Sequence, residues 1–334
     1  MLTALVAVGV SVTTSAFAEP FGARTSREVM PAREVERPLD LPRAWNNFTL
    51  SHTVKNGTGA WSPEGKVDEF DSAAWTYQTT TLEWRWGIAP RAEMGWRLPV
   101  HVGNLKNDDL GTDTTSSGFG DIAFLYKYSL LHTEAPLTSI VIEIEAEGPT
   151  GRETPATYAG GPLQVSEFIF TSGTWDLYAG VAAKRQVGPL AFVGRVGYER
   201  RFSGIVQFLV ETNVNQFAGR FKPGDRLTAS AAAIAQLGPV AITLQPRVEI
   251  RGETRMGHTS SNWFNPASEL RAVAGSGGWA LDLDTTVTAN VTRGFDAHLT
   301  WSLPLRGEDL QFFPIEDIQP TYGNTFGGAV EVRF

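Results

Sequence analysis

Alternation of apolar and polar side chains over residues 117–152 is the feature that most constrains the fold of this chain. In residues 122–130 the even positions are apolar or aromatic, while the odd positions mix Lys127 and Ser129 with Ala123 and Leu125. In residues 140–147 the even positions carry isoleucine or alanine, and the odd positions carry one valine and three carboxylates, Glu143, Glu145 and Glu147. Successive side chains of a β-strand point to opposite faces of the sheet, so each segment predicts a strand with one apolar and one polar face. The short polar turn at residues 132–136 predicts that the two strands pair as a hairpin.

The same alternation recurs from residue 44 to the end of the chain, most regularly in residues 240–251. Counting such segments predicts about 14 strands, within a range of 12–16. The count includes residues 163–171 and 205–215, and it takes residues 268–289 as one long strand. Because proline cannot donate to a sheet ladder, Pro99 and Pro246 predict a bulge or a strand end. Long polar connections alternate with tight turns over most of the chain, which is typical of a barrel with one elaborate end and one short end.

Composition excludes several classes of protein. The 334 residues are 42% hydrophobic, yet none of the apolar runs reaches the roughly 18–20 residues that a membrane-spanning helix needs. A formal net charge of −8 argues against a nucleic-acid partner, which would be bound through its phosphates. The absence of cysteine excludes disulfides, thiolate metal sites and a cysteine nucleophile.

The N-terminal region predicts export. A short apolar run in residues 2–10 is followed by Ala16-Phe17-Ala18, the small-residue pattern of a signal-peptide cleavage site before Glu19. Residues 19–43 are rich in proline and charge and show no periodicity, so we expect an extended segment in the periplasm or in the lumen. The predicted organisation is a signal peptide at 1–18, this segment at 19–43 and a barrel at 44–334.

Either a soluble β-sandwich or a transmembrane barrel would alternate in this way. Charges in the middle of the polar faces, strands of about 10–12 residues and the alternation of loop lengths favour the barrel. The predicted fold class is therefore all-β, a transmembrane antiparallel up-and-down β-barrel in the cell outer membrane. Its polar faces would then line a watery lumen, and their charged members are the candidate pore-lining residues: Glu143, Glu145, Glu147, Arg195, Arg247, Glu249, Arg251, Asp282 and Asp284.

Short motifs resemble those of Gram-negative outer-membrane barrels. They are the signal peptide, Arg37-Pro38-Leu39-Asp40-Leu41-Pro42, Gly118-Phe119-Gly120-Asp121 and Gly148-Pro149-Thr150-Gly151. The nearest group is the outer-membrane transporters of the phenol meta-degradation type. The C-terminal Phe334 is similar to the assembly signal of such barrels. The resemblance implies a hydrophobic or aromatic solute and the barrel-assembly machinery as a partner.

No catalytic or cofactor motif is present in the sequence, so we predict no catalytic residues, no cofactor, no metal and no enzyme activity. The five histidines have no ligand spacing. Asp108, Asp109 and Asp113 could bind Ca²⁺ through oxygen ligands, but an acidic solvated loop is the simpler interpretation. The Glu143, Glu145 and Glu147 row would either favour cations in a pore or be neutralised by arginines across the lumen.

The predicted function is a channel or transporter for passive uptake of a small solute across the outer membrane. Its expected partners are outer-membrane lipids, the assembly machinery and the small-molecule solute, with no nucleic acid. Two alternatives remain open at this point: an outer-membrane lipid-modifying enzyme, and a structural or adhesive barrel that conducts nothing.

Overall fold

The structure is a computed structural model and describes residues 31–69, 73–107, 112–134, 137–151, 156–158, 171, 173–210, 215–257, 270–272, 276–308 and 322–334. These residues form one short 3-10 helix, Glu34–Glu36, and nineteen strands. The strands are β1 (Asn46–Trp61), β2 (Val67–Glu69), β3 (Ala73–Ala89), β4 (Ala92–Asn107), β5 (Thr112–Phe119), β6 (Ile122–Glu134), β7 (Leu137–Gly148), β8 (Ala156–Tyr158), β9 (Asp176–Val187), β10 (Leu190–Arg201), β11 (Gly204–Val210), β12 (Asn215–Lys222), β13 (Arg226–Leu237), β14 (Val240–Arg251), β15 (Arg255–Gly257), β16 (Leu270–Ala272), β17 (Gly278–Thr292), β18 (Phe295–Glu308) and β19 (Tyr322–Arg333). Within these ranges we find no helix with the length and apolarity needed to span a membrane.

Twelve strands close into one antiparallel barrel, in the order β1, β3, β4, β6, β7, β9, β10, β13, β14, β17, β18 and β19. The last strand pairs with the first, from Asn47 opposite Arg333 to Asn56 opposite Asn324. Strands β2 and β5 pair with β1 and β4, so that the sheet contains 14 strands in all. The predicted class, an antiparallel barrel, is confirmed, and its twelve strands lie within the predicted range of 12–16, two fewer than the 14 favoured.

The two ends of the barrel differ in their connections. Two-residue turns join β9 to β10 and β13 to β14, and Gly188 and Gly238 adopt left-handed φ values of 60° and 64° there, which glycine reaches without strain. The chain enters and leaves the barrel at this same end, where Asn46 and Phe334 exchange backbone hydrogen bonds of 2.8 and 3.1 Å. The longer connections all lie at the opposite end.

A second sheet is built from those longer connections, with the strand order β16, β15, β12, β11 and β8. It corrects two predictions. Residues 205–215 were expected to cross the membrane, but residues 205–210 belong to β11 of this second sheet, and the 7 residues of β11 are fewer than the roughly 9–11 that a crossing strand needs. Residues 268–289 were expected to be one strand, but they contain β16 of the second sheet and most of β17 of the barrel. The predicted strand at 163–171 lies outside the described residues, except for Thr171.

The predicted bulge at Pro246 is wrong. The β13–β14 register is the same at Ser230 opposite Arg247 and at Ala233 opposite Leu244, although the residues between these pairs are unpaired. On its other side β14 pairs continuously with β17. At Pro246 the missing N–H removes part of one ladder without displacing the chain. Pro99 differs, because it lies where β4 changes its partner from β6 to β5 and the register shifts by one residue, from Arg97 opposite Ala123 to Val100 opposite Phe119. The predicted bulge or strand end is therefore found at Pro99.

Apolar side chains project from the outer face of the barrel and remain uncovered by protein. Phe124 is 62% exposed and Leu299 is 69% exposed, whereas the inward-facing Glu143 is 8% exposed. A soluble sandwich would pack those apolar residues into a core, while a transmembrane barrel presents them to lipid. The structure therefore decides between the two folds in favour of the transmembrane barrel.

Candidate solute pathway in the barrel lumen

The barrel encloses a cavity of about 940 Å³, lined by inward-facing side chains from all twelve barrel strands. The structure brings the nine predicted pore-lining residues together on its wall: Glu143, Glu145, Glu147, Arg195, Arg247, Glu249, Arg251, Asp282 and Asp284. Their common position follows from the alternation, which places every second residue of a barrel strand in the lumen. Their role in conduction stays a prediction.

The carboxylates of β7 are engaged by cations of neighbouring strands. Glu143 contacts Arg195 of β10 at 3.0 Å and Lys127 of β6 at 3.4 Å. Glu145 forms a bidentate contact with Arg97 of β4, and Glu147 lies 3.5 Å from the same guanidinium. The row is therefore bracketed by positive charge on both sides.

The charged residues of β14 form a second group of ion pairs on the opposite part of the wall. The Arg247 guanidinium lies 2.9 Å from Asp282 and 3.2 Å from Asp284, both on β17. Glu249 accepts a hydrogen bond from Arg251 at 3.0 Å, and Arg226 lies 3.8 Å away. Paired charges cancel much of each other's field, so the geometry favours a neutralised wall over a cation-attracting row.

The closing seam of the barrel presents hydroxyl groups to the same cavity. They belong to Thr79 and Thr81 of β3, Thr300 and Ser302 of β18, and Thr325 of β19. Thr79 shares a hydrogen bond of 2.9 Å with His101, and Thr300 shares one of 3.1 Å with Thr286. These hydroxyl groups lie among charged residues of the same strands, including the Glu83–Arg85 ion pair at 2.7 Å, and add neutral hydrogen-bonding groups to the wall.

Residues 31–43, the N-terminal segment, lie inside the short-turn end of the lumen. Val35 packs in a buried apolar cluster with Ala191, Ile234 and Ala241, which face inward from three successive strands. The Lys184 ammonium donates to the carbonyl oxygen of Glu34 at 2.7 Å. The segment therefore reaches the wall formed by β9 to β14.

Other contacts fix the N-terminal segment to the facing strands. The backbone N–H of Leu41 donates to the buried Glu93 carboxylate at 2.7 Å, and Lys127 donates to the carbonyl oxygen of Leu39 at 3.3 Å. Because anchors come from opposite sides of the barrel, the segment crosses the lumen and narrows it. The sequence left two positions open for this segment, the periplasm and the lumen. Its described residues lie in the lumen, because their contacts are with inward-facing side chains.

Two ionisable groups of the segment are perturbed by their surroundings. Burial, and next the negative charge of Glu93, raise the pKa of Asp40, although His132 and Lys127 act in the opposite direction. Burial alone would lower the pKa of Arg37, but the hydrogen bond to Asp296 and the negative charges of Glu34, Asp296 and Glu331 outweigh it, so that pKa is raised. Arg37 is thus held charged, whereas ionised Asp40 is destabilised in the docked segment.

Asp296, His298 and Glu331 bring three possible metal-ligand atoms within 4.8 Å of one another. Arg37 contacts Asp296 at 2.5 Å, and Arg333 contacts both carboxylates. His298 lies 3.3 Å from Glu331. With two guanidiniums on these carboxylates, the group is an ion-pair network that holds the N-terminal segment to β18 and β19.

Sequence reasoning missed this network. Its carboxylates lie close to the ends of β18 and β19, and Arg37 belongs to a segment without periodicity, so no local pattern connects them. The available signal was the presence of charges on the inward faces of the last two strands.

The sequence also offered Asp108, Asp109 and Asp113 as possible Ca²⁺ ligands. Asp113 accepts a hydrogen bond from Asn104 at 3.0 Å, while Asp108 and Asp109 lie outside the described residues.

Phe334, the predicted assembly signal, lies on the outer face at the seam. Its ring stacks on Phe48 with the centroids 6.0 Å apart, and Phe48 stacks on Trp84 at 5.6 Å. Trp86 and Trp96 flank Trp84, with centroids at 4.6 and 6.2 Å from its ring. The C-terminal residue is therefore part of an aromatic cluster at the short-turn end, where barrels carry aromatic girdles.

Comparisons with known proteins show the fold. No family model and no curated protein matches the chain. Among solved structures, the chain is similar to an outer membrane channel from Pseudomonas putida F1, with 11% identity, a TM-score of 0.64 and coverage of 90% of this chain and 98% of that one. The translocator domain of the autotransporter NalP from Neisseria meningitidis has 7% identity, a TM-score of 0.45 and coverage of 87% and 88%. A mutant of the TodX monoaromatic hydrocarbon channel has 6% identity, a TM-score of 0.43 and coverage of 87% and 89%.

The first of these similarities, the closed ladder and the apolar outer surface define the class of protein. The chain has the fold of an outer-membrane β-barrel. At 11% identity the comparison supports the fold only, so the function has to be argued from the residues that line the lumen.

Proposed function

We propose that the protein is an outer-membrane channel through which a small solute enters the cell passively. The observation that supports this proposal is the polar cavity of about 940 Å³ within a closed barrel, together with the N-terminal segment anchored across the short-turn end of the lumen. In barrels of this type the short turns and both termini face the periplasm. The N-terminal segment then narrows the periplasmic exit, and the second sheet lies on the extracellular side.

The lining favours a solute that carries a polar group. A purely apolar molecule would displace water from the ion pairs and hydroxyls of the wall without replacing their hydrogen bonds, which is unfavourable. An aromatic solute with a hydroxyl or carboxyl group satisfies both this wall and the resemblance to the phenol meta-degradation type transporters. That resemblance, and the hydrophobic or aromatic solute it implies, stay predictions, since no family model matches.

Conductance across a planar bilayer tests the proposal. The wild-type barrel should show a small single-channel conductance, and a variant lacking residues 31–43 should show a larger one, because the N-terminal segment narrows the lumen. Swelling of liposomes in benzoate, compared with benzene-sized uncharged solutes and sugars, then reports the solute class. Folded protein that is silent in both assays, with and without the segment, would instead support the structural or adhesive alternative.

The enzymatic alternative is tested on the same preparations. A lipid-modifying barrel would release or transfer acyl chains from outer-membrane lipids, and thin-layer chromatography of lipids incubated with folded protein detects this. We expect no turnover and retain the prediction that the protein is not an enzyme.

A further inference from the structure

The outer face of β7, β9, β10, β13 and β14 carries a concave depression of about 580 Å³, here called the outer groove. Its floor consists of small outward-facing residues, and its rim carries Ile140, Phe192 and Leu244. A barrel of this fold needs only a continuous apolar surface toward lipid, so a concavity on that surface calls for a separate explanation.

The floor of the outer groove follows from strand register. Gly194 of β10 is directly opposite Ala183 of β9 and Ala231 of β13. A Cβ atom added to Gly194 would meet nothing within 4 Å, so the space above this residue is open. Three neighbouring strands therefore present their smallest side chains in one row across the wall.

The next row, closer to the short turns, contains a charge. It runs from Thr138 through Arg185 and Phe192 to Ala233, each opposite the next across the ladder. Arg185 is exposed on the outer face, and none of the residues that the structure describes forms an ion pair with it. By contrast, Arg200, which faces outward at the other end of β10, is bound by Asp225 at 2.8 Å.

The interrupted β13–β14 ladder adds to the concavity. Pro246 lines the outer groove, and the pairing omits Ala231 and Ala232 on one strand and Gln245 and Pro246 on the other. Small side chains and a missing stretch of ladder thus meet at the same place on the outer wall.

We propose that the outer groove binds one phospholipid of the periplasmic leaflet, with its phosphate at Arg185 and one acyl chain over Ala183, Gly194 and Ala231. This rests on the proposed orientation in the outer membrane, whose periplasmic leaflet is made of phospholipid. A guanidinium forms paired, charge-assisted hydrogen bonds with phosphate, and Thr138 supplies a hydroxyl beside it. The apolar rim and the open space over Gly194 accommodate a chain more closely than a convex wall does.

Two variants test the two halves of the site. Arg185→Gln removes the phosphate ligand, and Gly194→Leu fills the floor at a position where an added Cβ atom meets nothing within 4 Å. Arg293→Gln, an exposed arginine in the β17–β18 turn at the same end, controls for the loss of positive charge. Gly328→Leu controls for added bulk on the outer face, because a Cβ atom there would meet neighbours only at 3.6 Å or more. Heat-modifiable gel mobility verifies that each variant is folded.

Native mass spectrometry of the full barrel, titrated with phosphatidylglycerol in detergent, measures the first bound lipid. We expect both site variants to weaken that binding by about tenfold or more, and both controls to leave it unchanged. Equal binding in all five proteins, or equal weakening in controls and site variants, would reduce the contact to ordinary annular lipid and overturn the proposal. Conductance of the same proteins is measured in parallel. Because neither Arg185 nor Gly194 faces the lumen, the conductance result tests the channel proposal independently of lipid binding.

Discussion

Arg37 and Asp296 lie 259 positions apart in the chain, and their side chains form a buried ion pair of 2.5 Å. Asp296 is fully buried and also contacts Arg333, while Arg37 donates to the backbone carbonyl oxygens of Pro31 and Ala32 at 2.9 and 2.6 Å. One carboxylate of β18 therefore joins the N-terminal segment to the last strand of the barrel. This relationship makes the position of the segment sensitive to single substitutions.

Removing the shared carboxylate should release the segment. Asp296→Asn leaves Arg37 and Arg333 buried without their common partner, and breaking such a pair costs about 3–5 kcal/mol. We expect a lower free energy of unfolding in urea and a higher single-channel conductance. Arg33→Gln is the matched control, because Arg33 forms an exposed pair with Glu36 at 3.5 Å. An Asp296→Asn barrel with wild-type conductance would contradict the anchoring role.

Docking of the N-terminal segment should weaken as pH rises above the ordinary pKa of an aspartate. Burial and Glu93 raise the pKa of Asp40 in the docked state, so the docked state binds the proton more strongly than the free segment does. By linkage, docking is favoured at acid pH, and this contribution is lost as pH rises from the ordinary pKa through the raised one. Asp40→Asn should remove that dependence. Conductance measured from pH 3 upward should increase with pH in the wild type and change less in the variant.

Tyr178 should make Gly197 intolerant of a side chain. The Tyr178 ring lies over Gly180 and Gly197, and a Cβ atom on Gly197 would come within 2.2 Å of it. We expect Gly197→Ala to lower the free energy of unfolding by about 1–3 kcal/mol. Gly194→Ala on the same strand is the control, because space there is open. Adding Tyr178→Ala to Gly197→Ala should recover part of the loss, and failure to do so would exclude the ring contact as its cause.

Neutralising the β7 carboxylates should shift the lumen toward anions. Replacing Glu143, Glu145 and Glu147 with Gln removes the carboxylates that neutralise Arg97, Lys127 and Arg195, so that fixed positive charge appears in the pathway. Reversal potentials under a salt gradient should move in the anion-selective direction, while Glu64→Gln, outside the lumen, should leave them unchanged. An unshifted potential would place the row outside the path of ions.

The two roles of Phe334 can be separated. In the folded barrel its ring stacks on Phe48, which Phe48→Ala removes without changing the C-terminus. Phe334→Ala should both slow assembly and lower stability by about 1 kcal/mol, the scale of an aromatic pair, whereas Phe48→Ala should only lower stability. Rates of appearance of heat-modifiable protein in cells measure the first effect. Equal assembly rates for both variants would argue against a signal at Phe334.

Much of the barrel could be predicted from the sequence because the alternation of side chains is a local property. In residues 240–251 the period of two determines which side chains share a face, and Arg247, Glu249 and Arg251 are accordingly found on the cavity wall. The alternation of long connections with tight turns likewise predicted which ends of the strands lie together. Neither of these two predictions depends on the order of the strands in the sheet.

Partners that are distant in the chain were decided by the tertiary structure. Alternation is the same in any sheet, so it could not show that β11 belongs to a second sheet, or that β16 and β17 are separate strands. The Arg37–Asp296 pair, the neutralised Glu143 row and the outer groove all depend on register between strands. The row of Ala183, Gly194 and Ala231 becomes contiguous only when three strands are aligned, because a groove on a barrel wall is formed by neighbours across the ladder and not along the chain.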